Sequence, residues 1–106
     1  MKIEKYTVDF TNVKHYFEMH FEIARGLEFP DYYGFNWDAF LECLREMVGS
    51  PMHIEIIGLD VIRRKFDDSA DMIVSTLKEM KHYCNDMFAD ITKIEIVEDG
   101  KRTEIE

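Results

Sequence analysis

Apolar residues recur along this chain in two periods, and the switches between them outline the elements. Ile3, Tyr6 and Val8, set among Lys2, Glu4 and Lys5, predict a first strand with imperfect alternation. Val13, Tyr16, Phe17, His20, Ile23, Ala24 and Leu27 then recur at helical spacing, with Thr11 or Asn12 as the expected cap and Gly26 near the stop. Phe29 to Asn36 predicts a loop: Pro30 disfavours helix at Phe29, and Gly34 is expected to take the positive φ where the chain turns. Asn36 is a candidate cap for a second helix, whose stripe is Trp37, Phe40, Leu41, Leu44, Met47 and Val48, stopped by Gly49-Ser50-Pro51.

The second half repeats the alternation of strand and helix. His53–Ile57 predicts a buried strand interrupted by Glu55, and Leu59–Phe66 a short helix. Asp68 or Ser69 opens a longer helix with the stripe Ala70, Ile73, Val74, Leu77, Met80 and Cys84. Thr92–Val97 alternates as a strand, Asp99-Gly100 is a hairpin turn signal, and Arg102–Ile105 is the expected returning strand. The order is that of an α/β layer domain. Its connections are long enough for crossovers, which predicts a small three-stranded parallel sheet packed with about four helices, plus a C-terminal β-hairpin with an antiparallel edge. No linker or repeat divides the chain, so residues 1–106 are read as a single domain.

Composition narrows the function. Of 106 residues, 22 are Asp or Glu and 13 are Lys or Arg, a net charge of −9. Nucleic-acid binding rests on cations meeting phosphates, so this balance argues against it. No apolar run approaches the roughly 20 residues of a membrane span. The opening MKIEKYTVDF is not patterned as a signal peptide, so a cytoplasmic location is expected. The acidity is local: residues 26–62 hold seven acids and one base, Arg45, a balance of −6. That favours a basic partner.

Within this stretch Asp38, Glu42 and Glu46 fall at i, i+4 and i+8, opposite the apolar stripe. Like charges at that spacing cost a helix roughly 0.2–0.5 kcal/mol per pair, so folding alone gives no reason for them. The preceding segment, residues 29–40, holds six of the 14 aromatic residues, and Tyr32, Tyr33 and Phe35 cannot all pack inward beside Pro30 and Gly34. Acids beside aromatics on a helix and its loop suit a protein-binding surface.

Other chemistries lack their residues. His15 and His20 do not share a helix face, and His53, His82 and Cys84 have no metal-ligand spacing, so no metal or cofactor is expected. His20 reads as a hydrogen-bonded core histidine. Cys43 and Cys84 read as reduced core thiols. Cys43 beside Glu42 has the raised pKa of an inert thiol rather than a nucleophile. A carboxylate pair such as Asp38 and Glu42 could do acid–base work only in a concave site.

Residues 29–44, FPDYYGFNWDAFLECL, resemble the barstar family of intracellular bacterial ribonuclease inhibitors. The shared pattern is apolar-Pro-acid-Tyr-Tyr-Gly-x-Asn-x-Asp-Ala-apolar-x-acid-Cys-Leu. His20, Leu27 and residues 73–81 extend it, and residues 98–106 read as an addition beyond the family's end. The resemblance implies an inhibitor or immunity protein that is not an enzyme and blocks the active site of a small basic, barnase-like ribonuclease. By position, Tyr32, Gly34 and Asn36 would be loop contacts. Asp38 and Glu42 would face the enzyme's cationic phosphate site, and Glu79 would be a peripheral charge contact. Glu42 stands where the family has an aspartate, and Phe35 where it has a glutamate. The alternative is a barstar-like domain whose partner is a different basic protein or toxin.

Overall fold

Parallel pairing of three strands builds the centre of the molecule. The computed structural model describes residues 3–47, 51–87 and 92–105. β1 (Glu4–Asp9), β2 (Met52–Ile57) and β3 (Thr92–Glu98) run parallel, and β4 (Lys101–Ile105) returns antiparallel to β3. The order across the sheet is β1-β2-β3-β4. The expected three-stranded parallel sheet with an appended hairpin is therefore one four-stranded mixed sheet. The cause lies in the turn: Asp99 and Gly100 both take positive φ, +52° and +77°. A two-residue turn of that kind matches strand twist and lays β4 directly on β3.

Register sets the two faces of the sheet. Tyr6, Ile54, Ile94 and Ile105 align across it, as do Val8, Ile56 and Ile96, and these rows face the helices. The alternate positions carry Lys5, His53, Glu55, Lys93, Glu95 and Arg102. There Arg102 from β4 crosses to Glu55 on β2 at 2.6 Å, and His53 meets Glu95 at 2.5 Å. The charges on this face thus neutralise one another.

Four helices complete the fold: α1 (Tyr16–Gly26), α2 (Trp37–Met47), α3 (Leu59–Lys65) and α4 (Ser69–Met87). α1 starts later than Thr11 or Asn12. The Asp9 carboxylate takes both the Thr11 N–H (2.9 Å) and its hydroxyl (2.5 Å), which removes Thr11 as a cap. Glu18 reaches back instead and accepts from the N–H groups of His15 (2.7 Å) and Lys14 (3.1 Å). Those bonds hold its carboxyl below the usual range.

The α1 stripe is also narrower than its spacing predicts. Met19, His20 and Ile23 are buried, whereas Tyr16 and Phe17 are exposed. At Gly26 an added Cβ would sit 2.4 Å from the Thr7 carbonyl oxygen, so glycine there lets α1 close onto β1. The chain then leaves the helix through Glu28, at φ +56°, while the Phe29 N–H bonds back to the Ala24 carbonyl at 2.9 Å.

In α4, Ala70, Ile73, Leu77 and Met80 are buried as the spacing predicts. The expected stop at Gly49-Ser50, the Val48 end of the α2 stripe and the Cys84 side chain lie outside the described residues.

Candidate functional site

The loop before α2 is held by its cap. Asn36 accepts from the Ala39 N–H through Oδ1 at 2.8 Å and donates through Nδ2 to the Gly34 carbonyl at 3.1 Å. One side chain thus fixes both the helix start and the turn before it. The positive φ falls on Phe35, at +53°, and not on Gly34. Gly34 is needed for another reason: a Cβ there would meet Asn36 Nδ2 at 3.1 Å and Ala39 Cβ at 3.6 Å, crowding the capping amide.

The loop aromatics divide between the core and the surface. Tyr33 is buried, and its hydroxyl meets His20 Nδ1 at 2.8 Å. With the hydroxyl as donor, Nδ1 accepts and Nε2 carries the proton. Nε2 is buried with no hydrogen-bond partner among the described residues. The rings of Trp37, Tyr16 and Phe35 surround the imidazole at centroid distances of 4.7, 5.8 and 6.1 Å. Burial pushes the His20 pKa down and the Tyr33 pKa up, so both groups are neutral. Tyr32 instead points outward, 72% exposed, and donates to Glu46 Oε2 at 3.2 Å. The Glu46 charge and that bond raise its phenol pKa.

α2 presents its acids from a fixed base. Phe40, Cys43 and Leu44 are buried, while Asp38, Glu42 and Glu46 are exposed on the other side. Burial, followed by the charges of Glu46 and Glu42, pushes the Cys43 thiol up, so it is an inert packing group. A shallow groove of about 290 Å³ runs beside the helix, lined by Tyr32, Tyr33, Gly34, Ala39, Glu42, Cys43 and Glu46. Glu79 approaches from α4, where its carboxylate lies 3.9 Å from Arg45, whose guanidinium also covers the Tyr83 ring at 5.6 Å. The structure therefore gathers Tyr32, Gly34, Asn36, Asp38 and Glu42 along one loop and helix, with Glu79 at its border.

Several acids elsewhere are paired. Glu22, Asp60, Asp71, Glu98 and Glu55 each have an arginine within 3.2 Å, and Glu95 has His53. Among the described residues Asp38 and Glu42 have no hydrogen bond or ion pair. Glu46 belongs with them through Tyr32, and its spacing from Glu42 is the signal that adds it to the site. Among the described residues no three His, Cys, Asp or Glu side chains converge as a metal site requires, and no helix is long and apolar enough to cross a membrane.

Comparison with known proteins gives the chain a family. A family model described as barstar (barnase inhibitor) matches residues 3–94. A relative from Bacillus subtilis (strain 168), named "Putative ribonuclease inhibitor YrdF", is 29% identical over 80 residues, covering 76% of this chain and 85% of the relative. The chain belongs to the barstar family. β4 lies beyond the matched residues.

Proposed function

We propose that this barstar-family chain is a cytoplasmic inhibitor, not an enzyme, and that it blocks the active site of a small basic ribonuclease of the barnase kind. The observation that carries this reading is the cluster of exposed carboxylates on one face of α2, where Asp38 and Glu42 have no ion pair among the described residues and stand beside Glu46 and the Tyr32 loop. An exposed carboxylate resembles a substrate phosphate in charge and acceptor geometry, and arginine takes both in charge-assisted, often bidentate bonds. Asp38 and Glu42 stand in for two phosphates. The groove beside Glu42, with Glu46 and Tyr32 on its wall, has the size and charge to seat a guanidinium or ammonium group. Tyr32, Gly34 and Asn36 bring the loop against the enzyme, and Glu79 adds attraction at the rim. The surrounding excess of acid steers a basic partner inward and raises its association rate.

The test is a calorimetric titration with barnase at low and high salt, with RNA hydrolysis followed in parallel. Saturable heat at one-to-one stoichiometry, weakening with salt, and loss of hydrolysis are expected. No heat at micromolar protein in low salt would overturn this reading. Glu42 reaches one methylene further than the family's aspartate. That favours, as a second reading, a different basic toxin with a more distant cationic site. In that case a partner captured from native lysate is lost with Asp38→Ala plus Glu42→Ala; its retention by the double variant would exclude this face as the site.

A further inference from the structure

Beside the acidic face lies an apolar surface, where Phe35 packs on one side against buried His20 and Tyr33 and leaves its other side open. Phe35 is 42% exposed although its backbone is held at φ +53°, a conformation that a bulky residue adopts only at a cost. It cannot swing away, because Gly34 and Asn36 on either side are locked by the capping amide. On α1, Phe17 and Phe21 are 63% and 51% exposed. At 100° per residue they share one flank of the helix, on the His20 side of its buried stripe. His20 links the two groups: its ring lies 6.1 Å from that of Phe35, and Phe17 stands three residues before it, in the neighbouring position on α1. Phe17 and Phe21 on one flank of α1, on the side of the helix where His20 meets Phe35, make a patch with Phe35 rather than scattered surface residues.

We infer that Phe35, Phe17 and Phe21 form an apolar shoulder of the inhibitory face, covered by the same basic nuclease that meets Asp38 and Glu42. The inference rests on the function proposed above and names the extra chemistry of the partner: arginine or apolar side chains beside its phosphate-binding site. Two observations select this occupant. The shoulder is continuous with the acidic face, since Phe35 lies one residue before the Asn36 cap and three before Asp38. The charge around it also excludes the nearest competitor: a second copy would bring another net −9 against the −6 of residues 26–62. A cationic surface meets the acids favourably, and its arginines can stack on the exposed rings.

The experiment is a calorimetric titration of barnase into four proteins at low salt, with melting temperatures measured alongside. They are the natural chain, Phe35→Asn, Phe17→Ser plus Phe21→Ser, and Asp38→Asn plus Glu42→Gln. Asparagine tolerates positive φ, so Phe35→Asn removes the ring while the loop keeps its shape. Each phenylalanine variant should bind about tenfold more weakly or worse; the Phe17 and Phe21 variant should keep its melting temperature, and Phe35→Asn, which also loses packing on His20 and Tyr33, should melt lower but stay folded at the titration temperature. The carboxylate variant should lose measurable binding. Affinity within twofold of the natural chain in both phenylalanine variants, with loss in the carboxylate variant, overturns the shoulder and leaves the inhibitory face intact. No binding by the natural chain overturns both. A dimer of the free chain in sedimentation, abolished by the Phe17 and Phe21 changes, assigns the patch to a second copy and likewise overturns the inference.

Discussion

Removing the Tyr33 hydroxyl tests the link between core and loop directly. In Tyr33→Phe, the ring packing against Phe29, His20 and Phe35 is kept. The bond to His20 Nδ1 is lost, and because Nε2 already has no partner, the imidazole is left 1% exposed with both nitrogens bare. A buried polar group left unpaired costs about 1–3 kcal/mol. A loss of about 2 kcal/mol in urea unfolding is expected, and at several degrees per kcal/mol it lowers Tm by roughly 10 °C. With His20→Leu already in place the hydroxyl has no nitrogen to serve, so the same change should be neutral or favourable. The pair also sets a pH dependence. Burial holds the His20 pKa below its ordinary 6.5, so the unfolded chain takes up this proton first as pH falls. The stability from the neutral ring is complete above pH about 6.5 and is lost as pH falls toward the folded-state pKa, by at most about 1.4 kcal/mol per pH unit. His20→Leu should flatten that part of the profile. A loss below about 0.5 kcal/mol in Tyr33→Phe would refute the reasoning, because the ring would then have a substitute partner.

Three further outcomes follow from the same geometry. Glu28→Gly should raise stability by about 1 kcal/mol in thermal melting, because it relieves a side chain at φ +56° at the exit of α1. Glu42→Ala should leave stability unchanged or raise it by about 0.2–0.5 kcal/mol, since the side chain has like charges four residues away on both sides and no ion pair. A clear fall in Tm would mean that Glu42 has a structural partner. Cys43, with its thiol pushed up by burial and by Glu46 and Glu42, should react with a disulfide reagent at pH 8 far more slowly in the folded chain than in urea; equal rates would show that the site opens readily.

What the sequence made legible depended on how local each determinant is. The α2 and α4 stripes, the buried strand after α2 and the Asp99-Gly100 turn are all written within one element, and over the described residues the structure follows them. The start of α1 is not legible in its own segment, because a residue outside the helix, Asp9, engages the Thr11 hydroxyl and leaves capping to Glu18. The α1 stripe is narrower than its spacing for a related reason. Helical spacing places Phe17 near the apolar side, but whether a neighbour covers it is decided by tertiary packing. Gly34 is the residue of the loop that adopts positive φ most cheaply, yet the loop, held by the Asn36 bond to the Gly34 carbonyl, carries it on Phe35. The candidate site was legible to an unusual extent because its loop and helix are contiguous in sequence. Glu79 enters only through the packing of α4 on α2, so the family pattern points to it and spacing does not.

The acidic face also fixes how free chain and complex should respond to salt. Asp38, Glu42 and Glu46 repel one another along α2, and Arg45 is drawn away toward Glu79 and Tyr83. The helix keeps its form because Phe40, Cys43 and Leu44 are buried beneath it and Asn36 caps it. A cationic partner therefore gains twice: it attracts each carboxylate, and it relieves a repulsion that the folded chain already carries. The rigid base reduces the ordering cost of binding. Salt screens both effects, in opposite senses for the two states. Between about 0.05 and 0.5 M salt the Debye length falls below the spacing of these charges to a partner's surface. The free chain should then melt slightly higher, as repulsion on α2 fades, while its affinity for a basic ribonuclease falls. If added salt lowered both quantities, internal ion pairs such as Arg63 with Glu98 and Asp71 would be the dominant electrostatic term, and the unpaired carboxylates would not be a reserve of binding energy.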